Sequence, residues 1–113
     1  MKHDVILKRG DTRTCIKAVL KNTAGISVDL TGCKVRFKMA PLGRLAVIDR
    51  VAHIQDATAG EVWQVWAPGE TDTAGVYRAE FQVQYPDGRK ETFPNDGYIS
   101  VRILDDIRRG EDL

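Results

Sequence analysis

The sequence predicts an all-β fold, an immunoglobulin-like β-sandwich of two antiparallel sheets with about eight to nine strands. Three observations carry that expectation. Apolar and polar residues alternate with a period of two along almost every segment, and no stretch of useful length has helical periodicity. Turn signals built on Gly, Pro, Asn and Asp recur roughly every 8–12 residues. A polar corner at residues 66–77, opened by Trp66 and Pro68 and closed by Gly75 and Tyr77, leads directly into a long alternating run.

Taken in order, Val5, Ile6 and Leu7 begin the first strand. The turn at Gly10 and Asp11 leads into a second strand, in which Ile16, Ala18 and Leu20 face the core. Gly25 supplies positive φ to the next turn, and a short extended piece at residues 26–30 ends at Gly32. The third long strand alternates Cys33, Val35, Phe37 and Met39 against Lys34, Arg36 and Lys38. Beyond Pro41 and Gly43 the pattern is irregular, because Leu45 and Val47 share one parity while Ala52 and Ile54 share the other. A switch of parity inside one strand needs an extra residue, which places a bulge near Asp49 and Arg50. Two short strands with a tight bend are the alternative.

Across residues 61–67, Val62, Gln64 and Trp66 oppose Trp63 and Val65. Trp66 adjoins the Pro68 turn and the Tyr77 corner, so it is expected inside, with Trp63 on the outer face. The strand that follows is expected to be central, with Tyr77, Ala79, Phe81, Val83 and Tyr85 on its apolar side and Arg78, Glu80, Gln82 and Gln84 on its wet side. Asp87 and Gly88 read as a hairpin turn that matches strand twist. From the last strand Ile99, Val101 and Ile103 share one face. The expected sandwich domain covers residues 1–104, with a charged tail at 105–113. In such sandwiches a tyrosine at the start of a late strand pins the crossing loop through its hydroxyl, the role expected of Tyr77; Ala79 stands where antibody domains carry a cysteine, so packing replaces the inter-sheet disulfide.

A chain of 113 residues is the size of one domain. Its formal net charge of +1 gives no general pull toward nucleic acid or an anionic membrane, and neither partner is expected. The apolar run at residues 5–7 is broken by Lys8 and Arg9, unlike a signal peptide, which points to a cytosolic origin with Cys15 and Cys33 as free thiols. His3 and His53 belong to no visible triad, Ser27 and Ser100 sit in no nucleophile elbow, and no metal or phosphate motif appears. An enzyme is therefore not expected, and no catalytic, cofactor-binding or metal residue is assigned. Asp11, Asp29, Glu70, Asp72, Asp87 and Asp96 all stand at turns, where carboxylates bond nearby backbone; Glu70 with Asp72 is too short a signal for calcium. The basic row Lys34, Arg36 and Lys38 reads as a solvated strand face with acidic cross-strand partners.

Lys8 with Arg9, Gly10, Asp11 and Thr12, residues 28–37, Gly60 with Glu61 and Val62, the corner at 66–77, Tyr85 with Pro86, Asp87 and Gly88, and Thr92 with Phe93, Pro94 and Asn95 form an ordered set. In order and spacing it resembles the N-terminal immunoglobulin-like domain of the bacteriophage baseplate upper protein family and related small phage tail or virion structural proteins. The resemblance implies a non-enzymatic virion component, assembled in the bacterial host cytoplasm. Such a component works through repetitive contacts with other phage structural proteins and with copies of itself. In that family a distal part beyond this domain binds receptors or carries fibres; the chain stops at Leu113, which leaves an assembly role as the expectation. Capsid decoration, a head-fibre role, or a carbohydrate-binding module using Trp63 and Tyr98 as a sugar platform are the alternatives. The surfaces expected to make contacts are Trp63 and Val65 on the outer face, Leu45, Val47 and Val51 on the irregular edge, and Tyr98, since large exposed side chains dominate protein interfaces.

Overall fold

A computed structural model describes residues 3–107, and these form a β-sandwich with no helix among them. Nine strands follow in order: β1 (Val5–Lys8), β2 (Cys15–Val19), β3 (Lys34–Pro41), β4 (Ile48–Val51), β5 (His53–Asp56), β6 (Glu61–Val65), β7 (Gly75–Gln84), β8 (Lys90–Phe93) and β9 (Ile99–Leu104). The larger sheet runs β1-β9-β7-β3-β4 with β8 also against β7, and the smaller runs β2-β6-β5. All ladders are antiparallel except that of β1 with β9, which is parallel. The long β7 organises the larger sheet: β3 follows one of its edges, while β9 and β8 share the other, pairing with its first and second halves.

Period-two burial explains the core. Val35, Phe37 and Met39 on β3 lie opposite Val83, Phe81 and Ala79 on β7, and all six are buried. The Phe37 and Phe81 rings sit 5.3 Å apart, and each fully buried side chain of this kind contributes roughly 1.5–3 kcal/mol relative to an exposed one. Val62, Ile16 and Leu20 close the core from the smaller sheet side.

Two local expectations change. Leu45, Val47 and Val51 are exposed while Ile48 and Ala52 are buried, so from Ile48 to Ile54 the even-numbered residues face inward and there is no parity switch within the strands. No bulge lies at Asp49 and Arg50, and the alternative of two short strands with a tight bend holds: the chain leaves the larger sheet after Val51 and enters the smaller one at His53, bending at the buried Ala52. The register shift in this region comes later, between Ile54 and Asp56. Leu45 and Val47, expected on the contact edge, are surface residues.

The hairpin after β7 also differs from a two-residue turn. Tyr85 donates its N–H to Arg89 O at 2.8 Å and Gly88 donates to Tyr85 O at 2.9 Å, which leaves a three-residue loop. Gly88 has φ 87° and no described non-glycine residue has positive φ, so Asp87 does not occupy the left-handed first position of a type I′ turn. Pro86 instead favours a type I turn closed by a left-handed glycine. Of the charged tail, Asp106 faces Arg9 at 3.1 Å; residues 108–113 lie outside the described ones.

Candidate interaction surface

The corner that joins β6 to β7 is tied down from several sides. Trp66 is 4% exposed and meets Phe37 edge to face, 6.0 Å between rings. Pro68 and Gly69, the latter at φ 89°, form a turn in which Glu70 donates its N–H to Ala67 O. The Glu70 carboxylate accepts the Ala67 N–H at 2.6 Å and receives Arg50 through both Nε and Nη2, at 3.0 and 2.7 Å. Burial disfavours the charged form of Glu70, but Arg50 and the Ala67 N–H outweigh it and hold the carboxyl below its usual range. Arg50 also donates to Val65 O, so one guanidinium of β4 fastens both the end of β6 and the loop beyond it. Thr71 is buried, donates to Asp11 O at 2.8 Å and accepts the Gly10 N–H, which ties the corner to the turn before β2. Gly75 holds φ 153°, and the Tyr77 hydroxyl donates to Thr73 O at 2.5 Å. Burial raises the Tyr77 hydroxyl above its ordinary pKa.

The opposite character appears on the outer side of the larger sheet. Arg36 bonds Asp49 across the β3–β4 ladder at 2.8 Å and holds its carboxyl below the usual range. Lys38 lies between Asp49 and Glu80 in register, so the basic row is complemented by acids on both flanking strands. Beyond it, Pro41 and Gly43, at φ 74°, turn the chain into a loop that Arg78 holds by donating to Arg44 O at 3.1 Å. This loop and the start of β9 enclose a groove of about 230 Å³ with Leu45 and Tyr98 among its walls and Lys38, Arg44, Arg78 and Glu80 as its charges. Leu45 is 90% exposed and Tyr98 49%. Alongside the groove, β4 is the edge strand of its sheet, with Val47 61% and Val51 66% exposed.

Trp63 stands apart from that surface. It lies on the outer face of the smaller sheet, half-buried, with Lys17 Nζ 4.6 Å from its ring centre, His53 beside it and its Nε1 donating to Glu61 at 3.1 Å. Trp63 and Tyr98 therefore belong to different sheets and do not form one sugar platform, and Lys17 already covers a Trp63 face. Val65, exposed at the end of β6, sits next to the Arg50 contact and does not line the groove that holds Leu45. Of the six candidate contact residues, the structure gathers Leu45 and Tyr98 in one groove with Val47 and Val51 on the adjoining edge. The Arg50–Glu70 pair went unassigned in sequence, because its members meet only where the folded chain changes sheets.

Cys15 and Cys33 are free and half-buried. Among the described residues no group of three or more His, Cys, Asp or Glu side chains converges where it could hold a metal ion. No family model matches the chain, and no curated protein matches it. Among solved structures it is similar to CopC from Methylosinus trichosporium OB3b, with a TM-score of 0.58 and 13% identity over 96% of this chain and 90% of that one. At that identity the likeness shows a shared β-sandwich fold and nothing about ligands.

Proposed function

We propose that the chain is a non-enzymatic structural component of a phage particle, in its tail or baseplate, acting by repetitive protein–protein contact. The observation that carries the contact reading is the grouping of Leu45 and Tyr98 in one groove beside the edge strand β4, with Val47 just before it and Val51 on it both exposed. Solvent-facing apolar side chains around a concave strip are what a docking partner covers. The particle itself is supported by the ordered set of motifs from Lys8 to Asn95 that resembles phage virion proteins. A subunit of 12.6 kDa presents an interface of about 800 Å² per partner, so strength comes from many copies on a symmetric array. Immuno-electron microscopy of purified particles is expected to place the chain on the tail or baseplate, and light scattering to show self-association at high concentration. A protein that stays monomeric and is absent from particles overturns the reading.

A further inference from the structure

A second surface runs along the opposite flank of the sandwich. Neither β1 nor β2 pairs with the other, so the two sheets part along a lateral seam. One half of this seam, about 440 Å³, follows residues 14–17 against Val5, Ile6 and Trp66. The other, about 240 Å³, continues along residues 18–21 against Phe81, Phe93, Pro94 and Ile99. The seam thus tracks β2 from end to end. Val5, Ala18 and Ile99 pack on the core yet stay only half-buried there, and the Trp66 indole N–H is buried with no acceptor among the described residues.

The backbone of β2 is prepared for a neighbour. Leu20 donates its N–H to Gly60 O, so the alternation of an antiparallel ladder turns the even residues Ile16 and Ala18 toward β6. The N–H and C=O groups of Cys15, Lys17 and Val19 then point to the open side. Charge selects the occupant. Lys17 and Lys21 are exposed beside the seam and form no ion pair among the described residues, while the one acid lining it, Asp4, accepts the Ser100 N–H at 2.8 Å. Antiparallel pairing of β2 with a second copy sets Lys17 opposite or diagonal to Lys17, Lys21 or Arg13 of that copy, which like-charge repulsion disfavours.

We infer that the seam accepts an extended segment of a different protein, apolar at alternate positions and acidic where it faces Lys17, added to the smaller sheet as a strand beside β2. This rests on the seam alone and stands whether or not the chain works in a particle. Residues 14–21 are matched by a segment about eight residues long.

Amide hydrogen exchange of the full chain tests it with two synthetic peptides of that length, valine alternating with threonine, one carrying a central aspartate and the other a central lysine. The aspartate peptide is expected to slow exchange at Cys15, Lys17 and Val19, with the lysine peptide binding about tenfold more weakly. Val19→Pro removes an outward N–H while leaving the bonds to β6, and is expected to abolish binding with sheet content retained. Lys17→Glu, which leaves the backbone untouched, is expected to reverse the preference between the peptides. Equal binding of the two, no protection at about 1 mM peptide, protection on β4 instead, or protection of these amides in concentrated protein without peptide overturns the inference.

Discussion

The corner at residues 66–77 and the strip from Leu42 to Val51 differ in where their bonding capacity goes. In the corner the hydroxyls of Thr71 and Tyr77 and the carboxylate of Glu70 all bond inside the molecule. In the strip, Leu42, Leu45, Val47 and Val51 face solvent. A segment rich in carboxylates and hydroxyls resembles a site in sequence, yet here those groups hold one sheet to the other. The plainer strip retains surface that a partner can cover.

If that contrast is right, Trp66→Ala has the largest effect on stability, about 3–5 kcal/mol, because a buried indole leaves a cavity beside Phe37. Urea unfolding measures it, and a loss under about 1 kcal/mol would show that the corner is not a packing anchor. Glu70→Gln comes next, at about 1–2 kcal/mol, since it weakens the half-exposed Arg50 pair and the acceptor for the Ala67 N–H. The pH dependence has a definite sign. A carboxyl held below its ordinary 4.5 in the folded state contributes stability that is fully present above that value and is lost as pH falls through the lower folded one. Unfolding curves from neutral to acid pH are therefore expected to show a smaller acid-side loss in Glu70→Gln than in the parent. Identical curves would place the acid sensitivity elsewhere, with Asp29 and Asp49, whose carboxyls are also held low, as the next groups to test.

The fold was legible because most strands carry an undisguised alternation. The faces of β3 and β7 follow parity residue by residue, with Val35, Phe37, Phe81 and Val83 inside. The Tyr77 bond to Thr73 was readable from a local pattern, a tyrosine just past a glycine at the head of an alternating strand. What stayed open was the segment around β4, where a bulge and a tight bend between two short strands both fit the pattern. There Leu45 and Val47 have the parity opposite to Ala52 and Ile54, and only the contacts of Ile48 and Ala52 with the rest of the sandwich reveal which parity faces in. The Arg50–Glu70 pair was out of reach for the same reason: its members are 20 residues apart and meet only because the chain changes sheets between them. Likewise the seam beside β2 is an absence of pairing, and a strand's own residues do not announce whether a neighbour lies at its far edge.

Leu45→Asp gives the smallest stability change and the sharpest test of the contrast. The side chain is almost wholly in solvent, so its removal leaves no cavity and the unfolding free energy is expected to move by no more than about 0.5 kcal/mol. The acid would enter a groove walled by Tyr98, where Lys38, Arg44 and Arg78 outnumber Glu80, so it is tolerated electrostatically but destroys the apolar wall. Self-association measured by light scattering is then expected to fall while melting stays the same. A destabilisation comparable to that of Trp66→Ala would instead make Leu45 part of the scaffold, erasing the distinction between the two regions. Unchanged association would remove Leu45 and its groove from the contact surface.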